Sequence, residues 1–391
     1  MDRRRNPFAP GAGTPPPQLA GRDELRENAA IALDRIRAGR AARSLIFYGL
    51  RGVGKTVLLT SICNQAEDDG FVVVPIETPE GRSLPGVLVP VLRVSLLKLD
   101  RIKRATKGVT RALRALAGFA KLKVKYADLE IGLDIEHEDG LADSGHLETD
   151  LGDLLLAVGD AARERKTAVV LAIDELQYVA ESELAALIAA LHQVSQRQAP
   201  VMLVGAGLPQ LLGQMGDAKS YAERLFQFVP LGPLSPVAAA DAVRLPIERE
   251  GEAITDEALE QVYQETQGYP YFLQEWGRHS WATAPQSPIN VVDVQSARDA
   301  AIAELDTGFF RVRFDRLTPK EKSYLRAMAE LGPGPHRSGE VAASVGATVT
   351  SLAPVRNNLI TKGMLFSPAH GDTAFTVPLF DSFMKRVMPT V

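Results

Sequence analysis

Short apolar runs of four to six residues alternate along the chain with longer stretches in which apolar residues recur every third or fourth position. The runs Ser44–Tyr48, Phe71–Ile76, Ala168–Ile173, Val201–Val204 and Phe226–Leu231 have the length and branched side chains of buried strands. Helical patterns separate them, among them Lys55 to Asp69 and Glu181 to Gln196. Strands alternating with helices predict an α/β fold, a parallel sheet with helices on both faces.

Residues 78–150 interrupt this alternation. From Arg93 to Lys125 there are eleven Lys or Arg against one acidic residue, Asp100, and from Asp128 to Asp153 there are ten acidic residues and no Lys or Arg. The two halves either neutralise each other or leave a basic helix for a nucleic acid or protein partner. Lys121–Lys125 and Leu129–Ile135 alternate apolar with charged residues and predict a hairpin with one wet face.

Beyond the proline-rich stretch Pro230–Pro236 a helical region runs to about Glu304. Three helices follow (Lys320–Glu330, Ser338–Ser344 and about Thr350–Lys362), then an extended stretch to Pro378, which is the order of a winged helix. The expected divisions are an arm at 1–18, an α/β domain at 19–232 with its insertion at about 78–150, a helical domain at 233–305 and the winged helix at 306–391. In the last of these Arg356, Asn357 and Lys362 fall on the would-be recognition helix, where Arg and Asn can read base edges. Pro354 is tolerable there if Ser351 caps the helix. Residues 318–391 carry eight Lys or Arg against five Asp or Glu, a modest footprint for double-stranded DNA, so packing on the rest of the chain or on a protein stays open. Phe309, Phe310, Phe314, Phe366, Phe375, Phe380 and Phe383 read as core.

A net charge of -4 leaves no global attraction to nucleic acid or membrane, and 46% hydrophobic residues support compact folding. No run approaches the ~18 apolar residues of a membrane span, and no apolar segment marks a signal peptide, so a cytoplasmic protein with no membrane partner is expected. The single cysteine, Cys63, fits a reducing compartment. Residues 1–18, rich in Pro, Gly and Arg, predict a flexible arm without a core of its own.

Gly49-Leu50-Arg51-Gly52-Val53-Gly54-Lys55-Thr56, followed by Val57, matches G-x-x-x-x-G-K-[ST] at every fixed position, between a strand and a helix. Such a loop curls so that successive N–H groups and the helix N-terminus face phosphates. Lys55 then neutralises the β and γ oxygens, and the Thr56 hydroxyl ligates Mg²⁺. Independently, the apolar run before Asp174-Glu175 puts two carboxylates at the carboxyl end of a buried strand, where ligands of open α/β sheets bind. Asp174 is expected to hold Mg²⁺ and Glu175 to take the proton of the attacking water.

These motifs, with Leu19-Ala-Gly-Arg-Asp-Glu-Leu25 ahead of the first strand, resemble the AAA+ P-loop ATPases of the origin-recognition type and the related STAND switch ATPases. The resemblance covers most of residues 19–305 and implies ATP and Mg²⁺ as ligands. It implies an adenine site near Gly21, Arg22 and Glu24, and an Arg before the fifth strand, Arg224, that reaches the γ-phosphate of a neighbouring subunit in a homo-oligomer. Gly268-Tyr269-Pro270 is similar to the Gly-x-Pro motif through which switch ATPases report nucleotide state. One departure is Gly205-Ala206-Gly207, where the family has a polar residue that orients water; Gln177 or Gln210 are the candidates to replace it. The whole implies slow, assembly-dependent ATP hydrolysis in a nucleotide switch that controls a DNA-binding winged helix, or else a signalling or defence scaffold acting through protein contacts alone.

Overall fold

In a computed structural model the described residues are 1–11, 13–101, 107–123 and 140–389. The chain divides into two compact units, one of Asp23–Tyr48 and Leu58–Pro230, the other of Met1–Arg22, Gly49–Val57 and Leu231–Val391.

The first unit is built on a sheet. In chain order it holds α1 (Asp23–Arg37), β1 (Ser44–Gly49, the last residue belonging to the other unit), α2 (Lys55–Asp68, from Leu58 on) and β2 (Val72–Glu77). Then come α3 (Leu84–Arg101), α4 (Lys107–Lys123), α5 (Leu147–Glu164), β3 (Val169–Asp174), α6 (Glu181–Gln196) and β4 (Val201–Gly207). The series closes with α7 (Leu211–Ala218), α8 (Ala222–Leu225) and β5 (Phe226–Leu231, the last residue again belonging to the other unit). The strand order is β2-β3-β4-β1-β5, and β1 with β4, β4 with β3 and β3 with β2 pair in parallel. Every residue of β3 and β4 is buried, as expected of central strands covered on both faces. Ile46 and Ile173 both lie opposite Gly205, so the carboxyl ends of β1 and β3 reach the same sheet edge.

Helix α4 buries Val109, Ala112, Leu116 and Phe119 and exposes Lys107, Arg111 and Lys121. Its helical spacing of apolar residues carries the backbone on through Lys123, so Lys121–Lys123 are helical and not the start of the expected hairpin. The remainder of that hairpin lies outside the described residues.

The second unit begins at the N-terminus with a single 3-10 turn, Arg3–Arg5. Its helices are α9 (Pro236–Arg249), α10 (Asp256–Thr266), α11 (Pro270–Thr283) and α12 (Val291–Glu304), followed by a π-helical turn at Leu305–Phe310 and α13 (Arg311–Phe314). Ser235, Thr255 and Asn290 cap α9, α10 and α12 with their side chains. The chain ends with α14 (Pro319–Leu331), β6 (His336–Arg337), α15 (Ser338–Ser344), α16 (Val349–Thr361), β7 (Leu365–Phe366), β8 (Asp372–Phe375) and α17 (Phe380–Val387). Strands β6-β8-β7 form a small antiparallel sheet. Thr348, not Ser351, caps α16, so Pro354 lies inside the helix rather than in its first turn. Phe310, Phe314, Phe380 and Phe383 are buried and in mutual ring contact.

The N-terminal arm is packed on its own unit. Phe8 is only 3% exposed and sits over Gly277 of α11, where a Cβ would come within 2.8 Å of the ring. The Trp281 indole donates to the Asp2 carbonyl (2.8 Å), and the Asn6 amide donates to the Arg278 carbonyl (2.9 Å). The sequence predicts a flexible arm without a core of its own; a small-residue notch at Gly277 of α11 gives Phe8 a place to bury in the core of the rest of the unit. Among the described residues no helix is long and apolar enough to cross a membrane.

Candidate functional site

The glycine-rich loop, Gly49–Val57, belongs to the second unit, and its backbone is bonded to that unit's other segments. Gly49 leaves no room for a side chain, because a Cβ there would stand 2.1 Å from the Leu231 carbonyl oxygen. Gly52 and Gly54 have φ of +83° and +87°, the left-handed region that lets the loop curl. The Lys55 ammonium, 8% exposed, donates to the carbonyls of Gly49 (3.0 Å) and Leu50 (2.9 Å), while Thr56 is exposed. Arg51 donates its backbone N–H to the Thr376 carbonyl (2.9 Å) and its Nε to the Gly363 carbonyl (3.4 Å). The Gly52 carbonyl accepts from the Tyr271 backbone N–H (3.2 Å).

Gly21, at φ +65°, packs against Ala238 of α9. Next to it the Arg22 guanidinium donates to the Gly232 carbonyl (2.6 Å) and, at a longer 3.5 Å, to that of Val53. Burial lowers the Arg22 pKa from its ordinary value. Gly268, at φ +73°, accepts from the Leu234 N–H (2.9 Å), and Pro270 occupies the first position of α11. Burial pushes the phenol of Tyr271 up to about 12, and the neighbouring Glu275 adds to the shift.

The carboxylate pair belongs to the first unit. Asp174 ends β3, is 8% exposed and accepts the Glu175 N–H on Oδ1 (2.8 Å). Glu175 sits at φ 55°, a left-handed conformation uncommon for a side-chain-bearing residue and concentrated at functional turns. The Thr78 hydroxyl donates to the carbonyls of Asp174 and Glu175, 2.8 Å each, and so pins this turn to the end of β2. Gln177, 5% exposed, donates to the Glu175 carboxylate and accepts the Leu208 N–H at the end of β4 (2.9 Å). Of the two glutamines named for the water-orienting role, Gln177 is the one in contact with Glu175. Oxygen donors such as the Thr56 hydroxyl and the Asp174 carboxylate suit a hard cation such as Mg²⁺.

Arg224, in α8 just ahead of β5, is exposed and makes no ion pair among the described residues. Arg356 and Lys362, named as DNA-reading candidates, are held internally. Arg356 bonds Thr373 (2.7 Å), Ser367 (2.9 Å) and the Asp372 carbonyl (2.9 Å), and Lys362 pairs with buried Glu321 (2.8 Å). Asn357 is exposed. The contacts of Thr78, Tyr271 and Thr376 carried no signal in the sequence, since each rests on a backbone group or a lone hydroxyl far along the chain.

Residues 18–204 match the family model of the AAA ATPase domain, and residues 307–384 match a domain of unknown function. No curated protein matches the sequence. Among solved structures, the Walker-type ATPase PABY2304 of Pyrococcus abyssi superposes with a TM-score of 0.60 at 15% identity, over 94% of this chain and 96% of that one. The Cdc6p protein of Pyrobaculum aerophilum gives 0.47 at 14% identity over 100% and 98%. The Orc1 protein of Aeropyrum pernix in complex with DNA gives 0.45 at 14% over 94% and 93%. The first of these likenesses carries the fold.

Proposed function

We propose, from the AAA+ P-loop ATPase domain that residues 18–204 constitute, that the chain is a nucleotide switch. In this reading ATP binds at Gly49–Val57, is hydrolysed slowly, and the nucleotide state is passed to the C-terminal domain, read as a winged helix. One observation carries it: the loop that would bind phosphates is itself hydrogen-bonded to the C-terminal domain, Arg51 N–H to the Thr376 carbonyl at 2.9 Å. A loop that changes shape with its ligand then changes the seat of that domain, which is what a ligand must do to shift an equilibrium between two states.

The residues have these roles. Lys55 exchanges its bonds to the loop carbonyls for the β and γ oxygens of the nucleotide. Thr56 and Asp174 are the residues that would hold Mg²⁺, which when bound would supply charge neutralisation at the phosphates. Glu175 accepts the proton of the attacking water, and Gln177 fixes the orientation of its carboxylate. Gly21 and Arg22 are assigned to the adenine side, and Gly268 and Pro270 to the nucleotide contact that reports its state. Arg224, exposed and without an ion pair among the described residues, serves as the residue offered to a neighbouring subunit's γ-phosphate, which ties turnover to homo-oligomer assembly.

Double-stranded DNA is the proposed output, through the exposed face around Asn357. A second reading, a signalling or defence scaffold that works through protein contacts, is favoured by the internal bonds of Arg356 and Lys362. Binding of wild type and Lys55→Ala to labelled duplex DNA, with and without ATP across a salt series, separates the two. The switch on DNA predicts affinity that falls steeply with salt and shifts with ATP in wild type only. No salt dependence and no ATP shift would remove DNA from the account.

A further inference from the structure

Tyr271 is the second residue of α11, so its backbone N–H has no acceptor within the helix. It is spent on the Gly52 carbonyl, 3.2 Å away. A trans peptide points its C=O and its N–H in opposite directions, and the only cis bond among the described residues is Ser287–Pro288. Holding the Gly52 carbonyl on α11 therefore turns the Val53 N–H away from α11. The Leu50–Arg51 peptide, two before it, shows the same alternation, the Leu50 carbonyl taking the Lys55 ammonium (2.9 Å) while the Arg51 N–H leaves in the other direction to Thr376 (2.9 Å). Phosphate cradles are made of N–H groups aimed in this concerted way.

What holds Tyr271 in place is aromatic. Its ring stacks on Phe309, with centroids 4.7 Å apart and planes 25° from parallel, and Phe309 lies in the π-helical turn that leads into the C-terminal domain. A Cβ on Gly52 would stand 3.5 Å from Tyr271 Cβ and 3.7 Å from Phe309 Cζ, so both residues border the glycine at van der Waals distance. The Arg313 guanidinium covers Phe309 at 4.3 Å, and Phe309 meets Phe310 edge-on at 5.3 Å. Phe310 in turn packs on Phe380 and Phe383 of the C-terminal core.

We propose that Tyr271, braced by Phe309, is a positioning residue for phosphate binding: it sets the Gly52–Val53 peptide so that the Val53 N–H is presented to the phosphates of a nucleoside di- or triphosphate. The proposal rests on the nucleotide-binding reading of the loop. It makes the start of α11 part of the phosphate cradle although the Tyr271 side chain need not touch the phosphates.

Titration with fluorescent ADP and ATP analogues, alongside melting of the nucleotide-free proteins, tests it. Tyr271→Ala and Phe309→Ala should each weaken both nucleotides by about tenfold, the scale of one lost hydrogen bond. The double variant should be no worse than either single one, because the two rings act as one brace. Tyr271→Phe and Phe309→Tyr keep the stack and should bind as wild type does; Phe309→Leu, which keeps the bulk, should bind as weakly as Phe309→Ala. Lys55→Ala separates the two levels of the claim. If Lys55→Ala loses binding while Tyr271→Ala and Phe309→Leu retain wild-type affinity, the positioning role is overturned and the nucleotide site stands. If wild type and Lys55→Ala bind alike, or neither binds, the nucleotide reading fails and the positioning role with it. Affinity that drops only in step with the melting temperature of the nucleotide-free protein would also overturn it.

Discussion

The side chain of Gln177 is held at both ends, its amide on the Glu175 carboxylate and its carbonyl oxygen on the Leu208 N–H, so the carboxylate is oriented by a group that is itself immobile. The same turn accounts for the glycines at the end of β4. A Cβ on Gly207 would lie 2.9 Å from Gln177 Oε1, and one on Gly205 would lie 2.3 Å from Leu176 Cδ1. The space beside the end of β4 is filled here from the β3 side. Gln177→Leu should therefore lower steady-state turnover by about 10-fold to 100-fold, as loss of an orienting hydrogen bond does, while nucleotide affinity measured by titration stays near wild type. It should also lower the melting temperature, since the buried Leu208 N–H loses its acceptor. Unchanged turnover would remove Gln177 from the hydrolytic machinery.

At the scale of elements, α16 illustrates how a helix read for recognition is used for structure. Its Arg356 ties it to β8 and the turn before it, and Lys362, just past its end, reaches Glu321 in the capping box that starts α14. Burial alone would raise the Glu321 pKa, but the Lys362 hydrogen bond and the Thr318 backbone and side-chain bonds outweigh it and leave the carboxyl below its ordinary value. A depressed folded-state value means stability that is present above the ordinary Glu range and is lost as the pH falls through the folded value. Lys362→Met should cost about 1.5–3 kcal/mol near neutral pH, the range for a hydrogen bond to a charged group. In melts across a pH series the gap from wild type should narrow below the ordinary value of 4.5; a gap independent of pH would contradict the assignment. The sheet strands and the longer helices were readable from periodicity alone: α6, α15 and β5 begin and end where the pattern puts them. The elements that were not readable are those whose local pattern is ambiguous. Lys121–Lys123 alternate like a strand yet continue the apolar phase of α4, and Thr348 and Ser351 are equally good caps three residues apart.

Across the whole molecule, the loop's chemistry was legible because all of it lies in eight consecutive residues, and that of Asp174 and Glu175 because both sit at the end of one strand. The bonds that put the loop under the influence of other segments were not, since the Thr376 and Tyr271 contacts are made by backbone atoms that any residue carries. The same is true of Phe8, whose burial depends on a notch at Gly277 far along the chain. The account of the molecule as an ATPase switch stands on one step, proton removal from water by Glu175 in a protein that binds ATP through Gly49–Val57. The direct test compares Glu175→Gln with wild type for binding of a fluorescent ATP analogue and for phosphate release, at protein concentrations high enough to allow assembly. Retained binding with phosphate release reduced to background is the predicted result; equal phosphate release from both proteins would contradict it.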